Sequence, residues 1–406
     1  MSVPDSSSLG AKILKGLRRP WAVIDYVRFR QDPHGTQRVV RLPAAPGRSR
    51  GTVVLSYLTD CFAGDAAAHY HTNRWECRCM ARVLTAAGYQ VDAIDTGNQR
   101  YRPPADCAAV IDLHSNLERL AALVPPTTRK ILHATGAHWE FQNRAEQARL
   151  AALQVRRSVS LPARRQVPPS RAIEVADFAT TTGNAFTIGT FAFAGKPMHR
   201  VPLSSTYTQD WPATKDYAAA RTRFLWLGSH GLVHKGLDLV LEAFAQTPEL
   251  QLTVAGPVGS EPDFAAVYRR ELALPNVRVL DWVDTASSAF RELLATHAAV
   301  VYPSCSEGGG GSVITCLHGG LVPIVTREAS VDVADFGFTL PSVAVEDLVA
   351  ALRQAAALAP ADLARRSRAA WELARRQHTR ENFERVFRQL VQEEFHLPDL
   401  SGPNGN

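Results

Sequence analysis

Residues 300–326 read VVYPSCSEGGGGSVITCLHGGLVPIVT, and their order decides the fold. A buried-type apolar run ends at Tyr302. A turn with one carboxylate, Glu307, and four consecutive glycines, Gly308, Gly309, Gly310 and Gly311, follows. Ser312 opens a short helix-like segment, and a second apolar run begins at Val322. Strand, glycine turn, helix, strand is the unit of a parallel sheet. Glycines let a backbone approach a ligand closely, and a helix start offers unpaired N–H groups to an anion. Most glycine runs are plain surface loops. A charged residue at the carboxyl end of a buried-type strand, where open α/β sheets bind ligands, favours a site here.

A second loop faces the same way. Residues 224–244, FLWLGSHGLVHKGLDLVLEAF, run from a strand through Gly228, Ser229, His230 and Gly231 to Lys235-Gly236 and then a helix. Lysine is a mobile point charge suited to a diphosphate. The P-loop pattern G-x-x-x-x-G-K-[ST] is absent, so no Walker-type nucleotide site is implied. Two such loops at strand ends of one sheet converge on one ligand.

The chain alternates strands and helices throughout. Strands are expected at 52–58, 90–94, 108–113 and 130–134, with weaker ones at 176–181 and 186–188, and helices at about 72–87 and 141–157. Residues 201–214, rich in Pro, Ser and Thr, read as a linker. A cleaner alternation then runs from 224 to the last helix, about 379–395, whose Phe383, Val386, Phe387, Leu390 and Val391 fall on one face. The expected fold class is α/β, two Rossmann-like domains facing each other across a cleft. The expected division is a basic arm at 1–50, a first domain at 51–205, a second at 206–378, and a crossing helix with a disordered tail at 379–406.

Composition narrows the function. With 46% hydrophobic and 21% charged residues the chain is a soluble globular type. The net charge of +6 is uneven: residues 1–50 carry +7, which leaves the rest at −1. A nearly neutral body argues against nucleic acid as a partner. The basic arm, with Leu14, Leu17 and Trp21 among its charges, admits peripheral contact with anionic lipid headgroups. No apolar run approaches the roughly 20 residues that span a bilayer, and the start lacks a signal-peptide core. Six scattered cysteines without C-x-x-C spacing read as reduced, so the expected compartment is cytoplasmic.

On the residues Gly228…Lys235-Gly236-Leu237-Asp238, Val254-Ala255-Gly256, Leu280-Asp281-Trp282-Val283 and Pro303-Ser304…Glu307-Gly308…Gly320, the stretch 221–392 resembles one known family. It is similar to the nucleotide-sugar-binding domain of retaining GT-B glycosyltransferases of family 4, the glycosyl transferases group 1. The resemblance implies sugar transfer, with retention, from a nucleotide-diphosphate sugar to a glycan, lipid or small-molecule acceptor, without a metal or separate cofactor. It implies that Lys235 binds the donor diphosphate and that Glu307 holds sugar hydroxyls beside the glycine N–H groups. The helix after Ser312 would face the diphosphate, and the Trp282-Val283 loop the base.

Two departures stand out. The family has a second glutamate eight positions after the first, and Thr315 stands there. An arginine near the first glycine of the lysine loop is replaced by Ser229 and His230. A catalytically inactive GT-B-like protein that binds a glycan or a protein is therefore the alternative. A dinucleotide enzyme ranks last, since G-x-G-x-x-G is absent after the first strand. In the first domain His114 and His133 close expected strands and are the candidates to point at the transferred sugar. His69, His71, Asp60, Asn73 and Glu76 rank lower, the last three read as capping or surface residues.

Overall fold

The computed structural model describes residues 36–47, 49–63, 71–206, 208–212 and 214–397. Most of the basic arm, His69 and the tail beyond residue 397 lie outside the described residues.

Each domain is built on one sheet. The first has seven strands in the order β1-β3-β2-β4-β5-β6-β7. These are β1 Val39–Leu42, β2 Thr52–Tyr57, β3 Gln90–Asp95, β4 Cys107–Asp112, β5 Arg129–Ala134, β6 Phe178–Thr181 and β7 Met198–Arg200. Only β1 is antiparallel, pairing Val39 with Ile94, so a strand occupies part of the stretch expected to be a basic arm. The second sheet is wholly parallel, in the order β10-β9-β8-β11-β12-β13. Its strands are β8 Arg223–Leu227, β9 Gln251–Ala255, β10 Val277–Leu280, β11 Ala299–Tyr302, β12 Val322–Val325 and β13 Phe338–Thr339. β2, β11 and β12 are buried along their whole length, as expected of parallel strands covered on both faces.

The principal helices are α1 Thr72–Ala86, α2 Trp139–Arg157, α3 Leu237–Ala245, α4 Ser288–Thr296, α5 Gly311–Leu317, α6 Val345–Ala356, α7 Pro360–Gln377 and α8 Arg380–Glu394. None is long and apolar enough to cross a membrane among the described residues. One expectation fails at 186–188, where Ala185–Thr190 is helical. The Asn184 side chain accepts a hydrogen bond from Phe186 N at 3.0 Å, and this cap outweighs the strand propensity of Phe186 and Ile188.

Two helices tie the domains together. α8 starts at its cap Thr379 and buries Phe383, Phe387, Leu390 and Val391 in the first domain's core with Cys77, Met80 and Leu84 of α1. The chain thus returns to the domain where it began. α2 reaches the other way, with Leu153 inside the core of the second domain. Around it Arg156 meets Asp238 at 2.6 Å and Glu242 at 3.0 Å, while Arg157 meets Glu242 at 3.1 Å and Glu271 at 2.8 Å. Asp238, on α3, is fully buried, so these contacts are far from exposed surface pairs.

Candidate functional site

In the second sheet the strand order reverses between β8 and β11. At such a switch point the loops after the two strands part and leave a crevice at their carboxyl ends. Lys235 stands in the loop after β8, and Glu307 in the loop after β11. Lys235 Nζ donates to Glu307 Oε1 at 2.8 Å and to Tyr302 Oη at 2.8 Å. Tyr302 Oη donates to the same carboxylate oxygen at 2.8 Å, and Ser304 Oγ at 3.0 Å. Three donors on one oxygen leave Oε2 for another partner. Burial raises the Glu307 pKa, but Lys235, His234 and these hydrogen bonds outweigh it and hold the carboxyl at about 2. Burial, then Glu307, pushes the Tyr302 phenol well above its ordinary value. At neutral pH the site therefore holds a carboxylate beside a neutral phenol.

The glycine loop is held by the first domain. A Cβ on Gly308 would fall on the backbone of Thr135, just past β5, so only glycine allows this approach. Thr182 Oγ1, just past β6, donates to Gly308 O at 2.5 Å, and Thr187 Oγ1 donates to Glu307 O at 3.3 Å. Behind them Asn184 and Arg200 both reach Asp332, at 3.1 and 2.7 Å. The strand ends of both sheets thus close on one cleft of about 660 Å³. Lys235, Glu307 and Ser312 line its second-domain wall, with Trp282 at the rim, 70% exposed. Tyr57, Asn73 and Glu76 line the opposite wall. Among the described residues no group of three or more His, Cys, Asp or Glu side chains is placed to hold a metal ion.

The family model for glycosyl transferases group 1 matches residues 221–358, which contain both members of the Lys235–Glu307 pair. The second domain is thus similar to glycosyl transferases group 1 over most of its length. Solved structures of glycosyltransferases extend the likeness to the whole fold, which is GT-B. A sucrose-phosphate synthase from Thermosynechococcus elongatus superposes with a TM-score of 0.59 at 15% identity, over 86% of this chain and 100% of that one. WaaG, a glycosyltransferase involved in lipopolysaccharide biosynthesis, gives 0.52 at 15% identity, over 83% and 98%. A trehalose-6-phosphate synthase gives 0.53 at 9% identity, over 86% and 100%. No curated protein matches the chain.

Of the residues singled out from sequence in the second domain, Gly228, Ser229, Lys235, Trp282, Val283, Glu307, Gly308, Gly310, Gly311, Ser312 and Thr315 all line the cleft. Gly309 and His230 do not. The space beside Gly309 is taken by Thr182 O and Leu203, and His230 Nδ1 lies 3.4 Å from Ser260 Oγ. Thr315 Oγ1 donates back along its helix to Gly311 O at 2.8 Å, leaving only its lone pairs for a ligand.

The two histidines chosen in the first domain do not line the cleft. With the two-residue period of a strand, His133 shares the face of Ile131 and points into the core. It is fully buried, its Nδ1 is 2.7 Å from Thr180 Oγ1, and burial holds its pKa down at about 4. His114 lies past β4, but its Nε2 meets the Pro168 carbonyl at 2.7 Å and it does not line the cleft. His71 and Asn73 line the cleft instead, whereas Asp60 pairs with Arg74 at 2.7 Å.

Some lining residues were missed or ranked low in the sequence. Tyr302, a phenol closing an otherwise aliphatic strand, had a signal: β11 reads AVVY. Glu76 was taken for a surface residue, yet it is buried and its Oε1 accepts from Ser204 N and Oγ, both at 2.8 Å. Its Oε2 and Tyr57 Oη are buried without a hydrogen-bond partner among the described residues. Burial raises the Glu76 pKa to about 7 against the lowering by Ser204. Arg165, in the loop between α2 and β6, had no local pattern to mark it.

Proposed function

We propose that the protein is a hexosyltransferase. It moves a sugar from a nucleotide-diphosphate donor to an acceptor hydroxyl in the cleft, with retention at the anomeric carbon and without a metal. The observation that carries this reading is the Lys235–Glu307 pair at the switch point of a domain similar to glycosyl transferases group 1, under a lid of first-domain strand ends.

In the reaction the bond from the anomeric carbon to the donor phosphate oxygen breaks, a bond to the acceptor oxygen forms, and the acceptor hydroxyl's proton passes to the departing phosphate oxygen. Negative charge grows on the departing diphosphate. Lys235, held by Tyr302 and Glu307, is pre-positioned to meet that charge without reorganisation. The free Oε2 of Glu307 takes a sugar hydroxyl. Trp282, exposed beside the cleft, offers its ring to the base. The acceptor lies against Tyr57, Asn73 and Glu76, and the unpaired polar atoms of Tyr57 and Glu76 suit hydroxyl groups. Buried thiols at all six cysteines fit a reducing cytoplasm. The basic arm would bring the enzyme to anionic lipid surfaces.

The test is hydrolysis or transfer with a panel of nucleotide-diphosphate sugars. Turnover with one of them, lost in Lys235→Ala and Glu307→Ala, supports the reading. Glycan binding with no turnover of any donor would favour a non-catalytic descendant, the reading that Thr315 motivates.

A further inference from the structure

The lysine loop carries less positive charge than a diphosphate calls for. Lys235 is the only cation in it besides its histidines, and Glu307 at 2.8 Å already offsets it. The histidines do not help. His234 is buried with Nε2 2.8 Å from Ser306 O, and burial holds its pKa below the ordinary value. His230 is turned to Ser260.

Arg165 reaches this gap from the other domain. It lines the same cleft as Lys235, Ser229 and Glu307, and its guanidinium has no ion-pair partner among the described residues. Its stem lies over Gly231 of the lysine loop: a Cβ there would come within 2.6 Å of Arg165 Cγ and 2.9 Å of Cδ. Gly231 also has φ +88°, so any side chain at that position is excluded twice. Its charge acts to lower the Tyr302 pKa, against burial and Glu307.

The loop that carries Arg165 is fixed. Arg165 N donates to the buried carboxylate of Glu146 at 2.9 and 3.1 Å, and Gln142 Nε2 donates to Arg165 O at 2.6 Å. Further along, Asn143 Nδ2 donates to Val167 O at 2.8 Å, and His114 meets Pro168 O at 2.7 Å. His114, chosen from sequence for the sugar, anchors this loop instead. A backbone so held presents a long side chain from a defined root.

We propose that Arg165 is the second cation on the donor diphosphate, so that the anion site is completed across the cleft by the first domain. Resting on the nucleotide-sugar reading, this makes Arg165 a specificity residue for a diphosphate over a monophosphate. A guanidinium offers two parallel donors to phosphate oxygens, which a lysine does not.

The test is calorimetric titration of the intact protein with the nucleoside diphosphates and monophosphates of uridine, guanosine and adenosine. Wild type, Arg165→Ala and Arg165→Lys are compared. We expect the wild type to prefer one diphosphate over its monophosphate. Arg165→Ala should lose about tenfold or more of that preference, the worth of one charge-assisted hydrogen bond, and Arg165→Lys should recover part of it. Unchanged melting of Arg165→Ala would show that the loss is local. A diphosphate preference that survives in Arg165→Ala overturns the assignment and leaves the donor site standing. A wild type that binds none of the six nucleotides overturns the donor reading and this proposal with it.

Discussion

Lys235 Nζ and Glu307 Oε1 lie 2.8 Å apart although 72 residues separate them, because β8 and β11 are neighbours whose following loops diverge. Their side chains are 6% and 15% exposed, so the pair is largely withdrawn from water. Removing one partner of such a pair costs more than removing both, since a buried charge is left behind.

We therefore expect Lys235→Ala to destabilise the fold by about 3 kcal/mol, the low end for a broken buried pair, because Tyr302 and Ser304 still donate to Glu307. Lys235→Ala with Glu307→Gln should recover part of the loss. Urea unfolding of the single and double variants measures both, and additive losses would contradict a coupled pair.

Glu76 sets a pH dependence of the opposite sign to that of Glu307. Its pKa rises from 4.5 to about 7 on folding, so the folded state holds the proton more tightly than the unfolded chain. Its burial is tolerated below pH about 4.5 and opposes folding increasingly as pH climbs to about 7, by up to about 3 kcal/mol. In Glu76→Gln that part of the decline with pH should vanish. Glu307, at about 2, adds stability above its ordinary value that is lost as pH falls towards 2. Melting temperatures across pH 4 to 8, wild type against Glu76→Gln, check the first of these; parallel curves would contradict it.

Arg156 joins α2 of the first domain to the fully buried Asp238 of the second, at 2.6 Å. Arg149, 3.9 Å away, remains as a second counter-charge. We expect Arg156→Ala to cost about 2 kcal/mol, the scale of a hydrogen bond to a charged group. Thermal melting measures it. Arg365→Ala, which removes a solvent-exposed pair with Asp362, is the control and should change little.

Thr315 spends its hydroxyl proton on Gly311 O. Thr315→Glu puts a carboxylate, able to accept from both hydroxyls of a ribose, on the cleft wall. We expect it to tighten binding of a nucleoside diphosphate about tenfold and to leave inorganic pyrophosphate unimproved. Equal gains for both ligands, or none, would contradict a ribose-binding role for a carboxylate at residue 315.

The strand ends of the second domain were legible because each loop carries punctuation: glycine, a single charge, then a helix start. Glu307 and Lys235 could be paired from sequence once both loops were put on one sheet. The first domain was less legible. Its cleft residues Tyr57, Glu76 and Arg165 come from a strand end, a helix face and a Pro- and Arg-containing loop, and tertiary contact alone unites them. His133 shows the limit of reading strand ends: parity along β5, which decides the face, turns it towards Ile131 and the core. The helix at Ala185–Thr190 had its signal in the cap Asn184, but the aromatic and branched residues after it obscured the pattern.

The most direct measurement is a crystal structure of the protein soaked with the nucleoside diphosphate that binds best in solution. We expect the diphosphate beside Lys235 and Ser312, and the base on the side of Trp282. A nucleotide seated outside this cleft, or none bound at saturating concentration, would contradict the assignment of Lys235 and Glu307 to a nucleotide-sugar site.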